Sequence, residues 1–305
     1  MRIRVITVAF NPGPELEAFL ASLPEALQEA HECIIVDNGS EHAEVDRVAR
    51  AHGAQVVRTG ENIGYGRAAN RGAQGFTGEW LVVANPDVVF TPGSLDALVR
   101  GAERFPRAGA LGPLIRTPEG EIYPSARQFP RIVSGVGHAL LGNIWPNNPF
   151  SRSYRSNADV TRAHPVDWLS GACLLLRREA FEAVGGFDDS YFMFFEDVAL
   201  GEALARAGWH SVFLPEAEVV HSQGASWKDQ PAAMLREHHR SAAHYIDSVY
   251  ARPWQAPLRW AIRGGLAPTL PTLPTAALRS TAALRSPPSA KEELSFCSPS
   301  PGTFT

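Results

Sequence analysis

Apolar, β-branched runs alternate with stretches of helical spacing through the first hundred residues, and each run breaks off at a polar turn. Residues 3–10 stop at Asn11-Pro12-Gly13, residues 33–36 at Asp37-Asn38-Gly39-Ser40, and residues 80–84 at Asn85-Pro86-Asp87. Between them Leu16, Phe19, Leu20, Leu23 and Leu27 recur at helical spacing. Val45, Val48 and Ala49 mark a short helix, residues 55–57 a third strand, and a further helix follows Gly66. Runs that are largely apolar, rather than apolar at alternate positions, suit strands covered on both faces. The expected fold class is therefore α/β, with a mostly parallel central sheet and helices on both faces. In such sheets ligands lie beyond the carboxyl ends of the strands. Each of the three polar loops alone reads as an ordinary turn. Three on one edge predict a pocket.

The rest of the chain sets limits. Its 305 residues, 45% hydrophobic and 20% charged, suit one large α/β domain with appendages. With 28 basic and 32 acidic residues the net charge is -4, which argues against a nucleic-acid partner. Cys33, Cys173 and Cys297 are scattered and form no CxxC pair, so neither a disulfide scaffold nor a cysteine zinc site is expected, in keeping with a reducing cytoplasm. Residues 1–8 do not read as a signal peptide. The longest uncharged stretch, residues 132–149, is interrupted by Gly135, Gly137, Gly142 and Pro146 and cannot span a bilayer. Residues 114–164 have weak periodicity and read as an excursion with short strands that caps a site. A turn feeding a strand follows at residues 166–176, then a helix at 198–207 and two short strands at 211–214 and 217–221. Past Gly265, prolines punctuate Ser, Thr and Ala. The expected organisation is a domain over residues 1–227, a helical and membrane-associating segment over 228–265, and a disordered tail over 266–305.

Four places carry chemistry. Residues 62–70 contain Gly64-x-Gly66-x-x-Ala69, a loose dinucleotide fingerprint, although the first strand-to-helix turn, where that motif belongs, holds Pro12 and Pro14 instead. The glycines otherwise let a loop approach a ligand and open a helix whose N–H groups favour phosphate, or serve as a structural helix start. Asp87, behind Asn85-Pro86, projects from a strand end as a ligand for Mg²⁺ or Mn²⁺, or caps the helix that opens near Ser94. In residues 185–198, Phe192, Phe194 and Phe195 crowd Glu196 and Asp197 ahead of a helix; an apolar wall raises a carboxylate's pKa and makes it a better base. An acidic helix cap is the rival reading. His221, at a strand end, becomes a second metal ligand if Asp87 holds a metal.

The ordered set of Thr7-Val8-Ala9-Phe10-Asn11, residues 35–40, Asn62-x-Gly64-x-Gly66-x-x-x-Asn70-x-Gly72, Asn85-Pro86-Asp87, Gly185-Gly186-Phe187-Asp188 and Phe195-Glu196-Asp197-Val198 resembles the inverting family 2 glycosyltransferases of GT-A fold, in particular their rhamnosyltransferase-like branch. The resemblance covers about residues 3–227. It implies that Thr7, Ala9, Phe10, Asn11, Asp37 and Asn38 hold the base and ribose of a nucleotide sugar, and that Asn62, Gly64, Tyr65, Gly66 and Asn70 line the nucleotide and its sugar. It implies Asp87 beside Asn85 as the ligand of a divalent cation, with His221 as a further one. Asp197 would be the general base and Glu196 would orient acceptor or base. Asn85 departs from the Asp-x-Asp form of the motif and leaves one acidic ligand. The branch implies dTDP-rhamnose as donor and a polyprenyl-diphosphate-linked N-acetylglucosamine as acceptor, met at the cytoplasmic face of the membrane. Arg236, His238, His239, Arg240, Trp254, Arg259, Trp260 and Arg263 supply bases and tryptophans suited to that interface, or else form a helix that packs its tryptophans on the core. Two other classes stay open on the residues alone: an NAD(P)-dependent oxidoreductase using the Gly64 loop, and a sugar-nucleotide-binding protein without catalysis.

Overall fold

The computed structural model describes residues 2–41, 44–129, 159–222 and 231–266. The predicted disordered tail lies almost wholly outside them, as do Cys297 and the middle of the predicted capping excursion.

The opening runs form strands β1 (Ile3–Ala9), β2 (His31–Asp37), β3 (Gln55–Arg58) and β4 (Trp80–Ala84). They are joined by helices α1 (Glu15–Ala26), α2 (Glu44–His52) and α3 (Tyr65–Ala73). All four strands run parallel, in the order β3-β2-β1-β4. Side chains alternate across the sheet, so each buried strand feeds two cores. Ile3, Val5, Val82 and Ala84 face one side, where α1, α2 and α4 (Ser94–Arg104) bring Leu16, Phe19, Val48 and Leu98. Ile6, Val8, Leu81 and Val83 face the other, where α3, α5 (Arg178–Ala183) and α6 (Glu196–Arg206) bring Ala69, Phe181 and Leu204.

Beyond β4 the sheet changes direction. Strand β11 (Cys173–Arg177) inserts antiparallel between β4 and β6 (Ala108–Arg116). The path continues to β12 (His210–His221), parallel to β6, and to β5 (Val88–Phe90), antiparallel to β12. Short strands β7 (Ile122–Tyr123) and β9 (His164–Val166) flank this half, and β8 (Ala126–Arg127) pairs with β10 (Trp168–Leu169) in a separate two-stranded sheet. The two short strands expected at residues 211–214 and 217–221 are thus one strand, whose register slips between Leu214 and Glu218 around Pro215. A proline cannot donate to the ladder, and a bulge absorbs it.

Helix α7 (Pro231–Val249), a 3₁₀ turn (Pro253–Gln255) and helix α8 (Ala256–Leu266) complete the described chain. Tyr245 of α7 packs with Phe129, Tyr191 and Val198 in a small third core. No helix among the described residues is long and apolar enough to cross a membrane.

Two glycines fix how α3 sits. Gly72 lies against Ile6 and Val36, where a Cβ would fall 2.6 Å from an Ile6 methyl. Gly64, at φ 91° and ψ 164°, precedes α3, and a Cβ there would fall 2.4 Å from the Phe192 carbonyl oxygen. That backbone region is open essentially to glycine alone. Gly64→Ala is expected to cost about 1–3 kcal/mol in backbone strain alone, before the clash with Phe192 is counted. The urea midpoint should fall accordingly; an unmoved midpoint would exclude this close approach.

Candidate active site

The carboxyl ends of β1, β2 and β3 are tied into one network. Asp37 is buried; its Oδ1 accepts the Ser40 N–H at 2.9 Å, and Arg58 lies 3.6 Å from its Oδ2. Asn38, also buried, donates to the Asn62 side chain at 3.0 Å and accepts from the Ile63 N–H at 3.1 Å, while Asn62 accepts the Gly64 N–H at 3.1 Å. Asn11, at φ 45°, accepts the Glu41 N–H at 2.8 Å. Its left-handed backbone turns the chain at the end of β1, a conformation asparagine tolerates. Thr7 is fully buried with a hydroxyl that has no partner, Ala9 is buried, and Phe10 stands partly exposed at the rim.

Asp87 and His221 meet because β5 pairs antiparallel with β12, in a register that sets His221 opposite Val88. Asp87 Oδ1 lies 3.0 Å from His221 Nε2, and both residues are buried. The Asn85 amide lies 3.3 Å from the same ring nitrogen. His221 Nδ1 is buried with no partner, and the ring meets Tyr123 edge-on. Asp87 does not cap a helix: β5 intervenes, and α4 starts behind Gly93.

Glu196 and Asp197 open α6 after two consecutive left-handed residues, Phe194 and Phe195, both at φ 66°. The rival reading of an acidic cap is not what forms: Phe195 holds the cap position, and no side-chain cap bond forms. Asp197 is half-buried. It accepts the Gly171 N–H at 2.9 Å on one oxygen and the Val198 N–H at 2.8 Å on the other. Glu196 is buried, and its Oε2 has no partner. Burial, then the adjacent Asp197 charge, pushes Glu196 up to about 8. Burial also raises Asp197, against the opposing pull of the two N–H donors and of Arg127. A shared proton near neutrality therefore rests on Glu196, and the charge on Asp197, which has the donors. The Tyr65 hydroxyl donates to the Gly171 carbonyl at 3.0 Å. Burial raises its pKa well above the usual phenol range, helped by the charges of Glu196, Asp197 and Asp87.

The Asp87–His221 pair and the carboxylate pair are joined through backbone. Register sets Cys173 opposite Ala84, and the Asn85 N–H donates to the Ala172 carbonyl at 2.9 Å. Residue 172 follows the glycine that holds Asp197, and Asn85 touches His221. One short path thus runs from Asp197 through Gly171, Ala172 and Asn85 to His221 and Asp87.

The family model described as glycosyl transferase family 2 matches residues 4–185. The chain belongs to glycosyl transferase family 2. A model for glycosyl transferase family 21 matches residues 132–286. This glycosyltransferase is 46% identical, over 86% of its length and 90% of the relative's, to the N-acetylglucosaminyl-diphospho-decaprenol L-rhamnosyltransferase of Mycobacterium tuberculosis. It is 25% identical to a rhamnosyltransferase of Escherichia coli, over 55% of its own chain and 61% of that one. Among solved structures, a mannosyltransferase from Pyrobaculum calidifontis in complex with GDP-Man and Mn²⁺ superposes with a TM-score of 0.56 at 20% identity, covering 92% of this chain and 79% of that one. GalNAc-T7 with UDP, GalNAc and Mn²⁺ superposes with a TM-score of 0.57 at 16% identity, covering 79% and 47%. The GT-A fold expected from the sequence is thus the fold observed.

Several site expectations change in the glycosyltransferase. Asn70 has a structural role: its amide donates to the Phe187 carbonyl and Asp189, and accepts the Phe187 N–H, so it clamps the Gly185-Gly186-Phe187 turn. Gly64 and Gly66 give way to Phe192 and Phe187 rather than to a ligand, and their loop follows β3, which removes the dinucleotide reading. Trp254 and Trp260 are 71% and 70% exposed, so they do not pack on the core. Sequence reasoning passed over Gly171, Tyr123 and Arg127. The Arg127 guanidinium lies over the Tyr123 and Trp168 rings, each 5.5 Å away. A backbone N–H and a remote arginine leave no local motif to read.

The buried Glu196 makes a pH prediction for the glycosyltransferase. A carboxyl raised from 4.5 to about 8 costs nothing below 4.5, where the folded and unfolded chains are both protonated; as pH climbs through that window the unfolded chain alone ionises, and the fold loses stability. Glu196→Gln should melt with the wild type at about pH 4 and above it at about pH 9. Equal melting temperatures at the alkaline end would show that Glu196 ionises freely.

Proposed function

We propose that this glycosyltransferase moves L-rhamnose from dTDP-rhamnose to a polyprenyl-diphosphate-linked N-acetylglucosamine, with inversion, at the cytoplasmic face of the membrane. The extent of similarity to the Mycobacterium tuberculosis enzyme supports donor and acceptor. The observation that carries the chemistry is the backbone path joining Asp197 to Asp87 and His221.

Asp197 is the general base. Half-buried, charged and held by two N–H groups, it takes the proton of the acceptor hydroxyl as that oxygen attacks the anomeric carbon. The bond to the departing diphosphate breaks on the opposite face, so one displacement inverts configuration. Glu196, protonated beside it, keeps the pair at a single negative charge and orients the base. The Asp37–Asn38 network, with Thr7, Asn11 and Asn62, holds the nucleotide.

The donor set fits a divalent cation shared with substrate. No group of three His, Cys, Asp or Glu side chains capable of holding a metal occurs among the described residues. A Mg²⁺ or Mn²⁺ site usually completes its shell with water and substrate phosphates. Asp87 and His221 would hold the ion, which when bound supplies positive charge to the diphosphate. The imidazole nitrogen without a partner is free to carry the proton that such ligation requires.

The catalytic domain spans residues 1–227, and the segment over 228–265 attaches it to lipid. Support comes from the two exposed tryptophans beside exposed Arg252 and Arg263 on a segment with no acidic residue between 251 and 266.

Asp197→Asn should lower kcat by ~10²–10⁴-fold with folding and donor binding intact; full transfer by this variant would refute the assignment. Asp87→Ala should abolish Mn²⁺-dependent dTDP-rhamnose binding in calorimetry, and undiminished heat would remove the metal role. With anionic vesicles, the wild type should sediment and a Trp254→Ser/Trp260→Ser double variant should stay in the supernatant. Equal sedimentation of both would reject the lipid-facing surface.

A further inference from the structure

Two adjacent L-residues in the left-handed region do not hold that conformation unaided. Phe194 and Phe195 do so directly before Glu196 and Asp197, so something outside the turn must fix it. On one side the Tyr65 N–H donates to the Phe192 carbonyl at 3.0 Å. On the other side stands α7. The buried Ser241 hydroxyl donates to the Met193 carbonyl at 2.7 Å. The His238 ring stands edge-on to Phe194 and Phe195, with centroids 5.4 and 5.5 Å away, and the Tyr245 ring lies 5.5 Å from Phe195. Residues 238, 241 and 245 share one helix face. His244, beside them, reaches the Ser190 hydroxyl at 2.8 Å and the Tyr191 ring at 4.9 Å.

We propose that Ser241 and His238 are positioning residues for the base: one hydroxyl and one ring from α7 hold the Met193–Phe195 turn, with its two left-handed residues, that aims Asp197 and seals Glu196. The proposal rests on the reading of Asp197 as base. Neither side chain is drawn into the reaction itself; each acts on the backbone that carries the carboxylates. A slack turn would admit water to Glu196 and let Asp197 swing from its Gly171 donor, and small misplacements of a reacting group are costly.

The test compares Ser241→Ala, Ser241→Thr, His238→Ala and His238→Phe in the full chain with Asp197→Asn as reference. Two readouts are taken: the kcat and KM for rhamnosyl transfer, and a ¹³C titration of the Glu196 and Asp197 carboxyls. Ser241→Ala and His238→Ala should each lower kcat about tenfold or more with donor KM unchanged. The carboxyl titration should move down towards the ordinary range as water enters. Ser241→Thr and His238→Phe, which keep the hydroxyl and the ring, should restore both. Folded Ser241→Ala and His238→Ala with wild-type kcat and an unmoved titration would overturn the proposal. The titration decides even if another sugar nucleotide is the donor. Transfer retained by Asp197→Asn would overturn the base assignment and leave the brace standing.

Discussion

The antiparallel entry of β11 between β4 and β6 is the constraint on which the site depends. A parallel sheet gathers all its carboxyl ends on one edge; a strand inserted the other way brings an amino end to that edge. The turn before β11 therefore lies beside the end of β4, and Gly171 can serve the α6 carboxylate while Ala172 serves Asn85. Pairing of β5 against β12 repeats the device and delivers His221 to Asp87. Both reversals are backbone hydrogen bonding, indifferent to side-chain identity. Chemistry far apart along the chain meets by topology.

Burial then divides labour within the carboxylate pair. Glu196 and Asp197 are neighbours in sequence, yet one is sealed without a partner for its second oxygen and the other is reached by two N–H groups and an arginine. Two adjacent acids in an apolar pocket do not both ionise easily. The one with donors takes the charge. Burial raises both carboxyls, and the two left-handed residues Phe194 and Phe195 lead directly into them.

Much of this was legible beforehand. β1, β2 and β4 announced themselves because full burial demands unbroken apolar runs, and the aromatic residues before Glu196 pointed to a low-dielectric site. β6 went unread: Gly109, Gly112 and Pro113 dilute its strand pattern, and only its position between two other strands makes it one. β5, three residues long, is likewise stabilised by its partner rather than its composition. The clamp made by Asn70 was hidden for a related reason. An asparagine inside a glycine-rich loop has the right chemistry for a ligand, and only tertiary structure reveals that Phe187 and Asp189 already occupy its amide. Local pattern reports what a segment can bury; it does not report what its polar groups will find.

Among the described residues no strand lies beyond residue 227. A protein cut there would keep every ladder and both halves of the Asp87–His221 pair, but it would lose the outer wall of Phe195 and the hydroxyl on Met193. The turn before the carboxylates thus draws on a helix outside the sheet. The dependence does not stop at α7: Asp247 on that helix pairs with Arg263 and Arg259 of α8, the helix that exposes Trp260. A pair of salt-bridged helices thus links an exposed tryptophan to the turn that carries Glu196 and Asp197.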